Sequence, residues 1–346
     1  MKTNPYIEDI LSQPVVLETM LNRLDLAPLE PVRKRMEQGG FDRIVITGMG
    51  ASNFGTYPAW LLLCQAGIPA CWVDTAELVH YAGRLVTDRT MLWVVSQSGR
   101  SAELVYILSQ GAKIRPGMIL ALTNDPASPL AEKADVNLAI DAPVELTVST
   151  RTYLNSLAIS QLVALFLTGQ PLDRALEDLR AVSRTLESYF QGWQGARDRL
   201  VQTVGLPKNL VILGRGPSMA AAQTGALIQG EASKFPAMAM NAAEFRHGPL
   251  EMVREDLTVM VLAGSQATVR LNLRLAEEIS RLGARVFWVG EPAVSGMPSI
   301  TMPAANGIAL TLAEVAPFQL LSLALAQQTN IEAGKFFHSS KVTLTE

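Results

Sequence analysis

Ser96-Gln97-Ser98-Gly99-Arg100-Ser101 puts three hydroxyls, one carboxamide and one glycine into six residues. It follows the apolar run Trp93-Val94-Val95 and precedes a helical pattern with Leu104, Ile107 and Leu108 on one side. A helix start offers free backbone N–H groups and the positive end of its dipole, which together favour an anion. The hydroxyls add donors, and Gly99 lets the backbone approach closely. This chemistry suits a phosphate monoester, although a plain serine-rich helix cap uses the same residues. A second turn, Gly48-Met49-Gly50-Ala51-Ser52, follows Arg43–Thr47 and offers Ser52 on the Gly50 turn to the same anion. Gly48-x-Gly50-x-x-Asn53 matches a dinucleotide fingerprint only weakly. Ser149-Thr150-Arg151-Thr152 precedes the helical run Tyr153–Leu167 and reads as either a substrate-contacting turn or an N-cap.

Proton chemistry points to two other residues. Glu231 lies in a mainly apolar helical stretch from Ala220. Such a setting favours the protonated carboxyl and suits a general base near neutral pH; a solvated helix face is the plainer alternative. His247 stands before Gly248-Pro249, where a helix does not continue. It reads as a general acid or as a hydrogen-bonded turn residue. His80 occupies the matching place upstream without the Gly-Pro and reads as structural. The histidines at 80, 247 and 338 have no metal-ligand spacing, so no metal or organic cofactor is expected.

The elements that carry these loops alternate short β-branched runs with longer helical periods, which is an α/β pattern. The strands are continuous apolar runs, as in parallel sheets covered on both faces. Ligands of such folds sit at the carboxyl ends of strands. The pattern also repeats. Gly48-Met49-Gly50-Ala51-Ser52 corresponds to Gly214-Arg215-Gly216-Pro217-Ser218 at an offset of 166 residues. Ile68-Pro69-Ala70 and Ala76–His80 correspond to Phe235-Pro236-Ala237 and Ala243–His247 at 167. One offset across several features indicates an internal duplication. The expected division is a helical segment 1–27, a first domain 28–170, a helical linker 171–189, a second domain 190–330 and a tail 331–346.

Hydrophobic residues make up 49% of the 346 and charged residues 18%, which excludes a disordered chain. A net charge of -3 and a pI near 5.8 argue against nucleic acid as a partner. Cys64 and Cys71 provide no disulfide framework, and the first nine residues lack a signal-peptide pattern. A cytoplasmic location is expected. The apolar stretch Ile308–Ala326 carries Glu314, Pro317 and Gln319, so a buried helix is expected there and no membrane span.

Together these motifs resemble the tandem SIS (sugar isomerase) domain family. The resemblance extends from Glu8-Asp9-Ile10-x-x-Gln13-Pro14 through the Ser96–Ser101 loop and Leu213-Gly214-Arg215-Gly216. It continues through Glu244-Phe245-Arg246-His247-Gly248-Pro249-Leu250 to Lys341-Val342-Thr343-Leu344-Thr345-Glu346. Nearest in pattern are the isomerase half of glucosamine-6-phosphate synthase and stand-alone amino-sugar-phosphate deaminases. The resemblance implies two flavodoxin-like domains with parallel sheets flanked by helices, and a phosphorylated sugar as substrate. It implies that Ser96, Gln97, Ser98 and Ser101 hold the phosphate with help from Ser52, and that Ser149 and the Val148 backbone contact the sugar. Glu231 matches the base that moves a proton between C1 and C2. His247 matches the ring-opening histidine, contributed to the neighbouring subunit's site, so a homodimer is implied. Lys341 matches the tail lysine that closes over the sugar.

Two departures shape the functional expectation. Neither cysteine stands near the start as a glutaminase nucleophile would, so synthase activity is not expected. Ile228 occupies the place, three residues before Glu231, where the family often has lysine. The leading expectation is a phosphosugar deaminase/isomerase acting on an amino-sugar phosphate such as glucosamine 6-phosphate. The alternatives are a deglycase of 6-phosphorylated Amadori adducts and a non-catalytic phosphosugar-binding regulator.

Overall fold

The computed structural model describes residues 4–109, 114–291, 296–338 and 340–343. Leu344–Glu346, the last part of the C-terminal motif, lie outside the described residues. The chain forms two compact units that are not simple consecutive segments. One comprises Val15–Glu145, Ser149–Glu177 and the described residues from His338 onward. The other comprises Leu146–Val148, Asp178–Phe337 and the described residues up to Pro14.

The first unit is built on five parallel strands: β1 (Arg43–Thr47), β2 (Ala70–Trp72), β3 (Thr90–Val95), β4 (Met118–Thr123) and β5 (Val136–Ala139). Their order is β2-β1-β3-β4-β5, so the sheet reverses direction of growth between β1 and β3. Every residue of β3 is buried, which is why that strand is an unbroken apolar run. Val45, Leu92, Val94 and Ala121 form one core with Leu104 and Ile107 of α2 (Ala102–Ser109). A Cβ on Gly48 would lie 2.8 Å from the Val95 carbonyl oxygen. Glycine there lets the loops after β1 and β3 leave the sheet side by side.

The second unit repeats the plan with β6 (Asn209–Gly214), β7 (Ala237–Asn241), β8 (Leu257–Leu262), β9 (Arg285–Val289) and β10 (Ser299–Ile300). The order β10-β9-β8-β6-β7 is the same topology read from the other edge. The two sheets thus carry the repeat seen in the sequence into three dimensions. Two turns match in detail: Gly50 has φ +52° and Gly216 has φ +56°, a left-handed conformation that glycine adopts without penalty.

The N-terminal helix α1 (Pro5–Arg23) shows why Gln13-Pro14 occurs as a pair. Pro14 has no N–H to give to Ile10 O, and Gln13 Nε2 donates to that carbonyl instead, at 2.9 Å. Gln13 also exchanges two 2.9 Å hydrogen bonds with Gln319, and Tyr6 Oη meets Ser322 Oγ at 3.0 Å. Gln319 and Ser322 belong to α7 (Leu310–Gln328), which is buried along most of its length. The stretch Gly307–Gln328 is long and apolar enough to cross a membrane, but 89% of its most apolar window is buried within the protein. A helix that is apolar all round is a core helix when protein surrounds it.

The stretch expected as a helical linker, 171–189, carries a single helix from Asp173 onward. This helix, Asp173–Gln191 (α4), ends before Gly192, and a separate helix, α5, runs over Trp193–Thr203. Gly192 is the sequence signal for the break.

Candidate active site

The serine loop leaves β3 and folds into a tight turn. Gly99 N–H donates to Ser96 Oγ at 3.1 Å, and Arg100 N–H donates to Ser98 Oγ at 3.2 Å. Gly99 has φ +61°, and a Cβ there would stand 2.2 Å from Ser128 Oγ. Only glycine fits. The Gln97 carbonyl accepts from Asn124 N–H at 3.0 Å, which ties the loop to the end of β4. Arg100 is turned to Asp125, at 2.9 Å, and to the Ala127 carbonyl. The Ala127 N–H and the Arg100 guanidinium hold the Asp125 carboxyl below its usual range. Arg100 is therefore a brace of the loop. Among the described residues no partner meets the side chains of Gln97 and Ser101. Ser52, on the turn that begins at Gly50, is half-buried, and its N–H donates to Met49 O.

The turn before α3 (Arg151–Leu167) is organised by a residue that sequence reasoning missed, Glu145. Its side chain is fully buried. Oε1 accepts from the backbone N–H groups of Thr150, Arg151 and Thr152 at 3.0, 2.6 and 3.2 Å, and from Thr150 Oγ1 at 2.8 Å. Oε2 accepts from Thr152 Oγ1. A carboxylate here satisfies the orphan N–H groups of the helix start and meets the positive end of its dipole. The open question between turn and cap is thereby answered for Thr150: it makes no side-chain cap bond, and Glu145 is the cap. That leaves Ser149 half-buried with its hydroxyl available to another partner.

Lys341 takes that position. Its Nζ donates to Ser149 Oγ at 3.1 Å and to Glu145 Oε2 at 3.4 Å. Two residues later, Thr343 O accepts from Ala102 N–H, at the start of α2, at 3.1 Å. The tail therefore bonds both the Ser149 turn and the helix that follows the serine loop, all within one unit. Of the sequence-predicted residues, Ser149 and Lys341 come into direct contact.

Glu231, His247 and Val148 belong to the other unit. Val148 is buried. Glu231 is half-buried near the end of α6 (Met219–Ser233). Lys234 closes that helix in the left-handed conformation, φ +58°, and its Nζ donates back to the Glu231 carbonyl. The same ammonium lies 4.8 Å from the centre of the Phe337 ring, a cation–π distance. Burial lowers the Lys234 pKa, and the Glu231 charge opposes that shift. Ile228 is buried at 1% exposure. His247 is exposed on a short turn, its N–H bonded to Glu244 O, ahead of Gly248 at φ +124°. Among the described residues its ring meets no hydrogen-bond partner. Asp74, the acidic residue of the weak dinucleotide pattern, is the N-cap of the helix Thr75–His80.

Two successive doubly wound α/β folds of one strand order, with a hydroxyl-rich loop at the carboxyl end of β3, define a class of duplicated sheet protein. The chain belongs to the SIS domain family, whose model matches residues 41–166 and 207–290, more than half of its length. The isomerizing glutamine–fructose-6-phosphate aminotransferase of Thermus thermophilus is 26% identical over 337 residues, covering 92% of this chain and 55% of that protein. The chain spans about half the length of the curated relatives it matches. Among solved structures, the C-terminal domain of the Francisella tularensis glucosamine-fructose-6-phosphate aminotransferase superposes with a TM-score of 0.83. It shares 20% identity over 97% of this chain and 98% of that one. A Thermotoga maritima glucosamine-6-phosphate deaminase gives a TM-score of 0.76 at 19% identity, over 98% and 99%. These two likenesses show the fold.

Proposed function

We propose that this protein is a phosphosugar deaminase/isomerase of the cytoplasm, acting on an amino-sugar phosphate such as glucosamine 6-phosphate. The observation that carries the reading is the tail: Lys341 lies on the Ser149 turn while Thr343 bonds the start of α2. A lysine held beside the sugar-contacting turn, next to a phosphate-type loop, is what a carbonyl-engaging lid requires.

In this reading Ser96, Gln97, Ser98 and Ser101 hold the phosphate, with Ser52 beside them. Remote binding of the phosphate fixes the reacting carbons. Ser149 and the Val148 backbone contact the sugar. His247, offered to the neighbouring subunit of a homodimer, protonates the ring oxygen as the C1–O5 bond breaks. Its exposure, and a ring that meets no hydrogen-bond partner among the described residues, support that role. Glu231 takes the proton from C2 and returns it to C1, so the amine becomes a 2-imine. Water adds to C2, ammonia leaves, and the ketose phosphate remains. Lys341 stabilises negative charge at the developing enolate oxygen.

The proton step is tested by incubating the protein with fructose 6-phosphate in D2O and following C1 by NMR. Deuterium at C1 with wild type, and none with Glu231→Gln, is the expected result. No exchange with wild type refutes the assignment of Glu231.

A further inference from the structure

The unit that carries β6–β10 has a cavity that the proposed chemistry does not use. It lies at the carboxyl ends of β8 and β9, has a volume of about 520 Å³, and is bounded by Trp288, Val269, Met302 and Leu310, with Glu291 and Glu314 as its charged residues. Its place matches a ligand site of doubly wound folds, and its size is that of a small-molecule pocket. Ala263-Gly264-Ser265 follow β8 as Ser96-Gln97-Ser98 follow β3, so the duplicated fold keeps the position but loses most of the anion-binding side chains.

Glu314 is the telling residue. It sits just past the first turn of α7 and is only 1% exposed. Oε1 accepts from Ser218 Oγ at 2.8 Å. Oε2 is buried and has no partner among the described residues. A buried carboxylate oxygen without a donor is costly, and native proteins supply one from protein, water or ligand. Among the described residues lining the cavity there is no lysine, arginine or histidine. The walls are otherwise mainly apolar. An arriving cation favours the ionised form of Glu314, while a phosphate or carboxylate meets no cation on these walls.

We propose that this cavity is a second ligand site, which takes a small organic ammonium with an apolar body and pairs its N–H groups with Glu314 Oε2. The site is separate from the serine loop and does not depend on the reaction assigned there.

The probe is phenethylammonium, with phenethyl alcohol and 3-phenylpropionate as its neutral and anionic matches, titrated calorimetrically into the full-length protein. Saturable binding of the ammonium is expected, at least ~10-fold tighter than the alcohol, with no binding of the carboxylate. Glu314→Gln, which keeps the shape but cannot ionise, should weaken the ammonium at least ~10-fold. Ala305→Phe, at the half-buried rim, should weaken it similarly by filling the cavity, and decides the matter if Glu314→Gln does not fold. Absence of saturable ammonium binding overturns the proposal, as does equal affinity for ammonium and alcohol. Binding that persists in Ala305→Phe also overturns it, since the ligand then sits elsewhere. Binding lost in Ala305→Phe but kept in a folded Glu314→Gln refutes Glu314 as the partner.

Discussion

Lys341 and Glu145 are 196 positions apart in the chain, yet their side chains meet at 3.4 Å. Glu145 is buried and gives its other bonds to the start of α3; Lys341 is 18% exposed. One carboxylate thus fixes both the helix that follows the Ser149 turn and the tail lysine that reaches it. The pairing means that the tail is read by the same group that caps α3.

Glu145→Gln retains the shape but replaces one acceptor oxygen by a donor facing N–H and O–H donors. The variant should lose roughly 2–4 kcal/mol of stability, because buried donors are left unsatisfied. It should also loosen the tail. Urea denaturation measures the first effect, and the rate of tryptic cleavage after Lys341 measures the second. Lys341→Met should leave α3 capped and cost under about 1 kcal/mol, since Glu145 keeps its five donors from Thr150, Arg151 and Thr152.

Gly99→Ala tests the serine loop. The new methyl carbon would meet Ser128 Oγ and Cβ at 2.2 and 2.5 Å in a left-handed backbone. The loop must shift, costing roughly 2–3 kcal/mol and moving its donors. Gly67→Ala is the control: Gly67 has φ +75° with nothing within 4 Å, so it carries the backbone penalty of about 1 kcal/mol alone. Binding of fructose 6-phosphate should fall in the first variant and stay unchanged in the second.

Glu314 makes stability pH-dependent in a direction opposite to that of most paired carboxylates. Burial pushes its pKa up to about 8, against the Ser218 hydrogen bond that lowers it. In the unfolded chain the group ionises near its ordinary value of about 4.3. Between those values the unfolded state has released a proton that the folded state keeps, so stability falls as pH rises. The contribution is complete below the unfolded pKa and gone above about pH 8. At ~1.4 kcal/mol per pH unit the loss amounts to roughly 5 kcal/mol. Glu314→Gln should remove this slope, so the difference in unfolding free energy between variant and wild type should move in the variant's favour from pH 5 to pH 8. A constant difference contradicts the account.

Much of this arrangement was legible in the sequence because it is local. The β-branched runs ending in Gly48 and Gly214 mark strands, and the offset between them marks the repeat. Ser96–Ser101 concentrates donors within one turn. Glu145 was not legible, because its partners are backbone groups five to seven residues on and a lysine near the other end of the chain. Nothing in Glu145-Leu146-Thr147-Val148 distinguishes a buried cap from a solvated acid until α3 is in place. The two units are equally nonlocal: the described residues up to Pro14 belong with the second unit because Gln13 and Tyr6 find Gln319 and Ser322 of α7 there. Glu314 was visible only as a polar residue in an apolar helix, which argued against a membrane span but gave no hint of a cavity.

The proposed homodimer, with its shared site, predicts complementation between inactive variants. When Glu231→Gln and His247→Asn chains are mixed and refolded together, half of the dimers are mixed. One site of each mixed dimer then holds an intact Glu231 and the partner's intact His247. Deaminase activity should return to roughly a quarter of wild type, on random pairing into two-fold dimers. No recovery, with mixed dimers verified by mass spectrometry, places His247 in its own subunit's chemistry.

Amino-sugar phosphate turnover is tested by product analysis with glucosamine 6-phosphate. Ammonia and fructose 6-phosphate should appear in equal amounts with wild type and be absent with Glu231→Gln. Failure of the wild type to release ammonia contradicts the deaminase reading. Free amino acid released from fructosamine 6-phosphates by the same preparation would then establish the deglycase instead.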